Sequence, residues 1–347
     1  MTTVERGFLP REGLYIDPII TGLRNSILHL LSTLLCLHLV RGGKFSSIAP
    51  YEKLVQITAV ASVLLCDEAW DWKKELVVVT GVSGGIGAGV AQRLAAMGTC
   101  VVVLDIIPLT YKPEDKRIPY HKCDLSDEKE IAPVCEDIRI GNWQPDRPAS
   151  LTVAVNNAGL SRGRTVVEGT YGDNSITLKT NLLAPFLLSR ESLPAMIRQN
   201  HGHIFNAASV SAYIPPPGLL IMRRRKLELR VQNAPKVCTS LAVLGFTKTP
   251  LFKGETNQPR FLMPLLHLDT VVDSIVDILD NGLSPTISLP AIFGYFAGLR
   301  AAPDWVQDLV RGGTRYLKVD FKGRQKIDPQ TGRLVYVTCL MRRIVLM

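Results

Sequence analysis

Residues 76–105 read LVVVTGVSGGIGAGVAQRLAAMGTCVVVLD, and this stretch decides the fold class. The runs Leu76–Thr80 and Cys100–Leu104 are short and rich in β-branched residues, which is typical of strands buried in a parallel sheet. Gly98, just before the second run, is placed to end a helix. Between the runs, apolar side chains recur at helical spacing, at Ile86, Val90, Leu94 and Met97. The stretch therefore predicts a β-α-β unit, and with it an α/β fold built on a doubly wound parallel sheet.

The glycine-rich turn after the first run predicts a dinucleotide site. Gly81 permits a tight turn, Gly85 lets the main chain approach a pyrophosphate, and Gly87 allows close packing of helix on strand. The helix N-terminus presents unpaired N–H groups to phosphate. The predicted cofactor-binding residues of this turn are Gly81, Ser83, Gly85, Ile86 and Gly87.

Asp105 closes the second run and predicts the type of dinucleotide. Its spacing from Gly81 along the chain is that at which a carboxylate can accept hydrogen bonds from the adenosine ribose hydroxyls. The same negative charge would repel a 2′-phosphate. We therefore expect NAD as the cofactor, in preference to NADP.

The spacing T-G-x-x-x-G-x-G over residues 80–87 resembles that of the short-chain dehydrogenase/reductase family, whose members have a Rossmann fold. The resemblance extends over about residues 72–290 and implies further cofactor contacts. Asp124 and Leu125 would contact the adenine, although Asp124 is also consistent with a helix N-cap. The segment that would stabilise the sheet beside the cofactor consists of Asn156, Asn157, Ala158 and Gly159. An Asn pair is also consistent with side chains that only form hydrogen bonds to the main chain of a loop.

The same resemblance implies residues around the reacting groups. Asn181 falls where the family has a helical Asn that holds a structural water of a proton relay, and Ser209 falls where the catalytic Ser polarises the substrate oxygen. Each is also consistent with an ordinary polar residue. Thr247 and Thr249 lie in LGFTKT, residues 244–249, which resembles the family's P-G-x-x-x-T segment that closes over the nicotinamide.

The family's general acid/base, a Tyr followed by a Lys on the same helix face, is incomplete in this sequence. Counted along the chain from Ser209, Met222 falls at the Tyr position, and Lys226 falls at the position of the Lys. A thioether cannot transfer a proton, so Lys226 remains as a candidate catalytic residue without its Tyr. Tyr213 precedes three prolines and lies outside the expected helix.

The segment around Met222 also departs from the family in length and composition. Residues 223–230 are strongly charged where the family has a helix rich in small residues, and the segment is shorter than in the family. Two explanations stay open: a mis-assembled gene model of an active enzyme, or a pseudoenzyme that binds NAD without turnover. Because this helix forms much of the family's dimer interface, a homodimer is in doubt as well.

The residues before the first strand predict contact with a membrane. Ser26–Val40 carries no formal charge along its whole length. As a helix it would span roughly 22 Å, which is short of a hydrocarbon core of about 30 Å. With Leu54–Cys66, also free of charge, it suggests a monotopic hairpin or an interfacial anchor. A single span, or an amphipathic helix packed on the domain, is the alternative. A third apolar stretch, Ile287–Leu299, predicts a short strand followed by a core or lipid-facing helix.

The amino-acid composition indicates which kinds of binding partner the protein has. The formal net charge of +9 suits an anionic membrane surface, whereas no basic tract interleaved with aromatic residues indicates nucleic-acid binding. The seven cysteines are irregularly spaced and form no C-x-x-C, which argues against a disulfide framework or a metal site and fits a cytosol-facing protein.

The predicted organisation is a membrane-associating segment (1–70), a Rossmann-fold dehydrogenase domain (71–290) and an apolar, basic C-terminal extension (291–347). The chain is similar to the membrane- or lipid-droplet-associated branch that includes retinol dehydrogenases and 17-beta-hydroxysteroid dehydrogenases. That resemblance implies an oxidoreductase that interconverts a lipophilic alcohol, of retinoid, steroid or long-chain type, and its carbonyl. We expect it on the cytosolic side of the endoplasmic reticulum or on lipid droplets.

Overall fold

A seven-stranded sheet with the strand order β3-β2-β1-β4-β5-β6-β7 lies at the centre of the computed structural model. Each neighbouring pair of strands is parallel. The strands are β1 (Leu76–Thr80), β2 (Cys100–Asp105), β3 (Tyr120–Lys122), β4 (Val153–Asn156), β5 (Gly202–Ser209), β6 (Val237–Leu244) and β7 (Thr286–Leu289). The chain runs outward from β1 to β3 and then returns to β4 on the other side of β1. The sheet is therefore doubly wound, and the predicted fold class is confirmed.

Helices flank this sheet. They are α1 (Gly85–Ala96), α2 (Glu128–Ile140), α3 (Tyr171–Leu178), α4 (Ala184–Gln199), α5 (Leu268–Asp280), α6 (Phe293–Leu299) and α7 (Asp304–Thr314). A π-helical turn, Lys179–Leu183, joins α3 to α4. Two short strands, β8 (Lys326–Ile327) and β9 (Leu334–Val335), pair in antiparallel fashion.

The structure describes residues 70–111, 118–140, 150–160, 169–210, 234–249, 260–261, 263–282, 284–299, 302–314, 326–327 and 334–335. The predicted membrane segment before Trp70 and most of the C-terminal extension lie outside these ranges. Within them, no helix is both long enough and apolar enough to cross a membrane. The stretch Ile287–Leu299 forms β7 and then α6, which confirms the predicted strand and helix.

The core explains why the first two strands are apolar throughout. Alternate residues of β1 point to opposite faces, so that Val77 and Val79 pack with α1 and α5, while Leu76 and Val78 pack with α2 and α4. All residues of β1 and β2 are buried. Because helices cover both faces, these strands need an unbroken apolar run rather than an alternating one. The sheet is thereby fixed, and its carboxyl edge near β1 and β4 becomes the place where a ligand can bind.

Candidate functional site

The glycine-rich turn lies at the carboxyl edge of the sheet, at the reversal of strand order. Gly81 has a φ of 71° and Gly85 a φ of 63°, both in the left-handed region that residues other than glycine rarely adopt. The Gly81 N–H donates to the carbonyl oxygen of Leu104 over 2.9 Å, which ties the turn to β2. The main-chain path itself therefore requires these two glycines.

The turn packs against its neighbours without side chains between them. A Cβ at Gly87 would overlap the carbonyl oxygen of Gly81 and lie 2.6 Å from Nδ2 of Asn157. A Cβ at Gly81 would lie 2.7 Å from the Cα of Ala158. Gly84 precedes α1 and contributes no side-chain cap, so the first N–H groups of α1 remain available to an anion. This glycine cradle fits a pyrophosphate.

Asp105 ends β2 beside the cradle and is 8% exposed. One carboxylate oxygen accepts from the Ser83 N–H over 2.8 Å, and the other accepts from the N–H groups of Ile106 and Ile107, at 2.7 Å and 3.2 Å. A carboxylate offers about four acceptor positions, so capacity for a ribose hydroxyl remains. The sequence predicted the position of Asp105, but it did not predict these three main-chain bonds.

Thr80 and Asn157 join the ends of β1 and β4. The Thr80 hydroxyl accepts from the N–H groups of Asn157 and Ala158, at 3.1 Å and 3.0 Å. The Asn157 amide donates to the carbonyl oxygens of Thr80 and Gly81, at 3.0 Å and 3.1 Å. The Asn-Asn-Ala-Gly segment thus holds the glycine-rich turn in place. Thr80 takes part in the same contacts, but the sequence did not predict it as a site residue. The sequence feature that could have indicated Thr80 is its hydroxyl, which comes at the end of the apolar run 76–80.

Asn156 makes a different contact from its neighbour. Its Nδ2 donates to Oδ1 of Asn206 on β5 over 3.0 Å, and both side chains are buried. Asn156 Oδ1 and Asn206 Nδ2 have no hydrogen-bond partner within the described part of the chain. The pair links the carboxyl end of β4 to β5, three residues before β5 ends. Gly159 lies further along, where a Cβ would come 3.6 Å from Oδ1 of Asn181.

Asn181 lies in the π-helical turn, and both the oxygen and the nitrogen of its side-chain amide are bonded. Oδ1 accepts from the Leu160 N–H over 2.9 Å, and Nδ2 donates to the Leu160 carbonyl over 2.8 Å. The side chain therefore fixes the main chain just after the Asn-Asn-Ala-Gly segment. π-helical turns of this kind are frequent at functional sites, because they shift main-chain carbonyls out of their usual bonds.

The predicted adenine contacts follow β3, as the sequence indicates. The Asp124 carboxylate accepts from the Ser126 N–H and hydroxyl, at 2.9 Å and 2.7 Å, and the Asp124 N–H donates to Glu130 over 2.7 Å. Asp124 therefore shapes a turn ahead of α2. The Leu125 side chain lies in the core under α2 and α4, so Leu125 could meet a nucleotide only through its main chain.

Ser209 is the last residue of β5, and its side chain is exposed at the carboxyl edge of the sheet. It lies opposite Leu244 of β6 in the parallel register. Thr247 is buried after β6, where it pairs with Leu266 and its hydroxyl donates to the Gly245 carbonyl over 3.3 Å. Thr249 is partly buried two residues on. These residues follow neighbouring strands and share one edge with the glycine cradle.

The residues expected to complete the acid/base pair, Met222 and Lys226, lie outside the described residues, as does Tyr213. The described site therefore supports two tasks. The glycine cradle and Asp105 have the chemistry to hold a dinucleotide, and Ser209 carries a hydroxyl on an exposed residue at the same edge of the sheet. The fold and site together define an α/β protein of the dinucleotide-binding class.

Comparison with known proteins finds similarity to short-chain dehydrogenases. Residues 75–221 match the family model for short chain dehydrogenases. Dehydrogenase RED2 of Cochliobolus heterostrophus is 34% identical over 164 residues, which cover 47% of this chain and 60% of that protein. Epidermal retinol dehydrogenase 2 of Mus musculus is 24% identical over 222 residues, covering 58% of this chain and 70% of that one. The chain is thus similar to members of the short-chain dehydrogenase/reductase family, and it spans about 60% of the length of several of the relatives that it matches.

The solved structures show the same fold. A short-chain dehydrogenase from Sphingobium yanoikuyae, in complex with NADPH, has a TM-score of 0.52 at 20% identity, covering 71% of this chain and 98% of that one. A 4-hydroxyisoleucine dehydrogenase complexed with NADH has a TM-score of 0.50 at 19% identity, covering 62% and 96%. The family-model match ends at Ile221, directly before Met222. The match therefore stops short of Met222, the residue expected at the position of the family's Tyr.

Proposed function

We propose that this protein is an NAD-dependent oxidoreductase that interconverts a lipophilic alcohol and its carbonyl at a membrane surface. One observation carries the proposal: the glycine cradle, Asp105 and Ser209 share one edge of the sheet. A dinucleotide held by the cradle would extend along this edge toward β5, where Ser209 meets the substrate oxygen.

The tasks of the residues follow from their chemistry. The first N–H groups of α1 bind the pyrophosphate, and Asp105 accepts from the ribose hydroxyls. When bound, the nicotinamide cofactor would exchange the hydride with the substrate carbon, and the hydroxyl proton would be exchanged with water, because Met222 offers no proton-transferring group. The Ser209 hydroxyl donates a hydrogen bond to the substrate oxygen and so stabilises charge that develops there. Asp105 favours NAD because a 2′-phosphate would bring a second negative charge next to a buried carboxylate.

The substrate class rests on the relatives and on the apolar segments. Epidermal retinol dehydrogenase 2 is named for a lipophilic alcohol. The uncharged runs Ser26–Val40 and Leu54–Cys66 suit a protein that works on a membrane holding such substrates. The endoplasmic reticulum and lipid droplets, on the cytosolic side, are the proposed locations.

A panel of retinoid, steroid and long-chain aliphatic alcohols with the purified full chain tests this proposal. We expect NADH to form with at least one of these alcohols, and Ser209→Ala to abolish its formation while NAD binding, measured by calorimetry, persists. Equal rates with short, water-soluble alcohols would contradict the lipophilic substrate class.

A second candidate function, NAD binding without turnover, is favoured by Met222 at the position of the Tyr. Here NAD would raise the melting temperature of the protein, and no alcohol of the panel would yield NADH. Met222→Tyr provides a direct comparison, because it introduces a phenol four residues before Lys226. Turnover by the unaltered chain would eliminate this candidate. Turnover that appears only in Met222→Tyr would establish it.

A further inference from the structure

The segment after β2 folds back over the glycine-rich turn. It begins with the bonds from Ile106 and Ile107 to the Asp105 carboxylate, and Leu109 then packs against the main core. The Thr110 N–H donates to the Ser83 carbonyl over 3.3 Å, and the Thr110 hydroxyl donates to the same oxygen. Both main-chain groups of Ser83 are therefore bonded, one to Asp105 and one to Thr110, so the segment after β2 is tied to the glycine-rich turn.

Tyr111 follows directly and carries a buried hydroxyl that has no hydrogen-bond partner within the described ranges. Burial, followed by the negative charge of Asp105, raises the pKa of Tyr111 to about 12, so the phenol stays protonated and remains a donor. Tyr120 provides a contrast, because its hydroxyl donates to the Asp105 carbonyl over 3.1 Å. A buried donor without a partner costs free energy, and a ligand that accepts from it would remove this cost.

We propose that Tyr111 is a further recognition residue for the adenosine end of the dinucleotide, donating a hydrogen bond to a ribose hydroxyl that Asp105 holds. This inference rests on the proposed function, since it assigns a residue to the same cofactor site.

The chemistry of the two side chains is complementary to a ribose diol. Each ribose hydroxyl is both a donor and an acceptor. The Asp105 carboxylate can only accept, whereas the neutral Tyr111 phenol can donate. Together they satisfy both capacities of an uncharged hydroxyl, and Asp105 disfavours a phosphate at the same place. The preference for NAD over NADP therefore comes from Asp105, whereas Tyr111 adds affinity for the adenosine end of the dinucleotide.

Tyr111→Phe in the full chain tests the inference by calorimetric titration with NAD and with NADP, and by the melting temperature without nucleotide. We expect NAD affinity to fall about 3- to 10-fold, as the loss of one hydrogen bond implies. Any NADP affinity should fall rather than rise, because a neutral donor does not discriminate against a phosphate oxygen. Without nucleotide, the melting temperature should stay the same or rise, because the variant no longer buries an unpartnered hydroxyl.

Tyr120→Phe is the matched control, since it removes a hydroxyl beside Asp105 that already has a main-chain partner. It should lower the melting temperature without nucleotide and leave the NAD affinity of the folded protein unchanged. Unchanged NAD affinity in Tyr111→Phe, with clear binding by the unaltered chain, would overturn the role of Tyr111 and leave the proposed cofactor intact. If the unaltered chain binds no NAD, the proposed function and this inference both fail.

Discussion

The Asp105 carboxylate accepts a hydrogen bond of 2.8 Å from the main-chain N–H of Ser83. This bond joins the end of β2 to the glycine-rich turn, so the residue expected to select the cofactor also holds the turn expected to bind its phosphates. Substitutions at Asp105 should therefore change stability and cofactor preference together.

Asp105→Ala should lower the free energy of unfolding by about 2 kcal/mol, because three main-chain N–H groups lose a charged acceptor. It should also reduce the ratio of NAD affinity to NADP affinity. Denaturant unfolding and calorimetric titration measure the two effects. Asp105→Asn is the control, since its amide keeps one acceptor oxygen and should preserve more of the stability. An unchanged NAD preference in Asp105→Ala would remove the ribose role.

Gly87→Ala should destabilise the protein by about 1–3 kcal/mol and abolish the rise in melting temperature caused by NAD, because the new Cβ would overlap the Gly81 carbonyl. Gly298→Ala is the matched control. It also lies in a helix, but a Cβ there meets nothing within 4 Å. In the control, NAD should still raise the melting temperature. The free energy of unfolding should increase by up to about 1 kcal/mol, because Ala has a higher helix propensity than Gly. Equal behaviour of the two variants would show that the cradle does not need a bare Gly87.

His203 should make the stability fall in acid. It is buried and lies 2.7 Å from the Ser240 hydroxyl, and burial lowers the pKa of His203 from 6.5 to about 3. The unfolded chain therefore takes up a proton below pH 6.5 that the folded protein does not bind. Between these two pKa values, stability should fall with a limiting slope of about 1.4 kcal/mol for each pH unit.

Urea unfolding at pH 7.0 and pH 5.0 measures this effect. His203→Gln should show a smaller loss between the two pH values than the unaltered chain does. His267→Gln, at the partly exposed N-cap of α5, should keep the loss of the unaltered chain. If His203→Gln loses as much stability as the unaltered chain, another group is responsible for the pH dependence.

Deletion of residues 1–67 should release the protein from membranes into the supernatant on sedimentation, because it removes both uncharged apolar runs. The deletion retains Trp70 and Trp72, whose rings stack with centroids 5.6 Å apart, so the start of the folded domain stays intact. Trp305→Ser in the full chain is the comparison, since Trp305 is 71% exposed on α7. If the protein without residues 1–67 still pellets with membranes, the membrane anchor must instead lie in the region of α6 and α7.

The sequence predicted those structural elements that are determined by residues close together in the chain. The apolar runs of β1 and β2, the helix that ends before Gly98 and the glycine-rich turn all agree with the structure. Such features follow from local rules, namely helical periodicity, continuous burial and the freedom of glycine at positive φ. Helix α5 was not predicted, although Val271, Ile275 and Ile278 recur at helical spacing and are buried.

Contacts between residues far apart in the chain could not be predicted from the sequence pattern. The resemblance placed Asn181 near the reacting groups, but only the fold brings its amide to Leu160, 21 residues earlier. Asn157 likewise reaches Thr80 across 77 residues. Spacing along the chain carries no information on which side chains meet across a sheet, because strand order and packing decide it.

The sequence by itself determined the β-α-β unit, the glycine-rich turn and Asp105 at the end of β2, since each depends on residues within one local stretch. It also predicts, by counting from Ser209, that Met222 stands at the position of the family's Tyr. Only the tertiary structure decided that Asp105 holds Ser83 and that the Tyr111 hydroxyl is buried beside it without a partner among the described residues. The physical reason is that hydrogen-bond satisfaction in a buried site depends on every segment that folds around it.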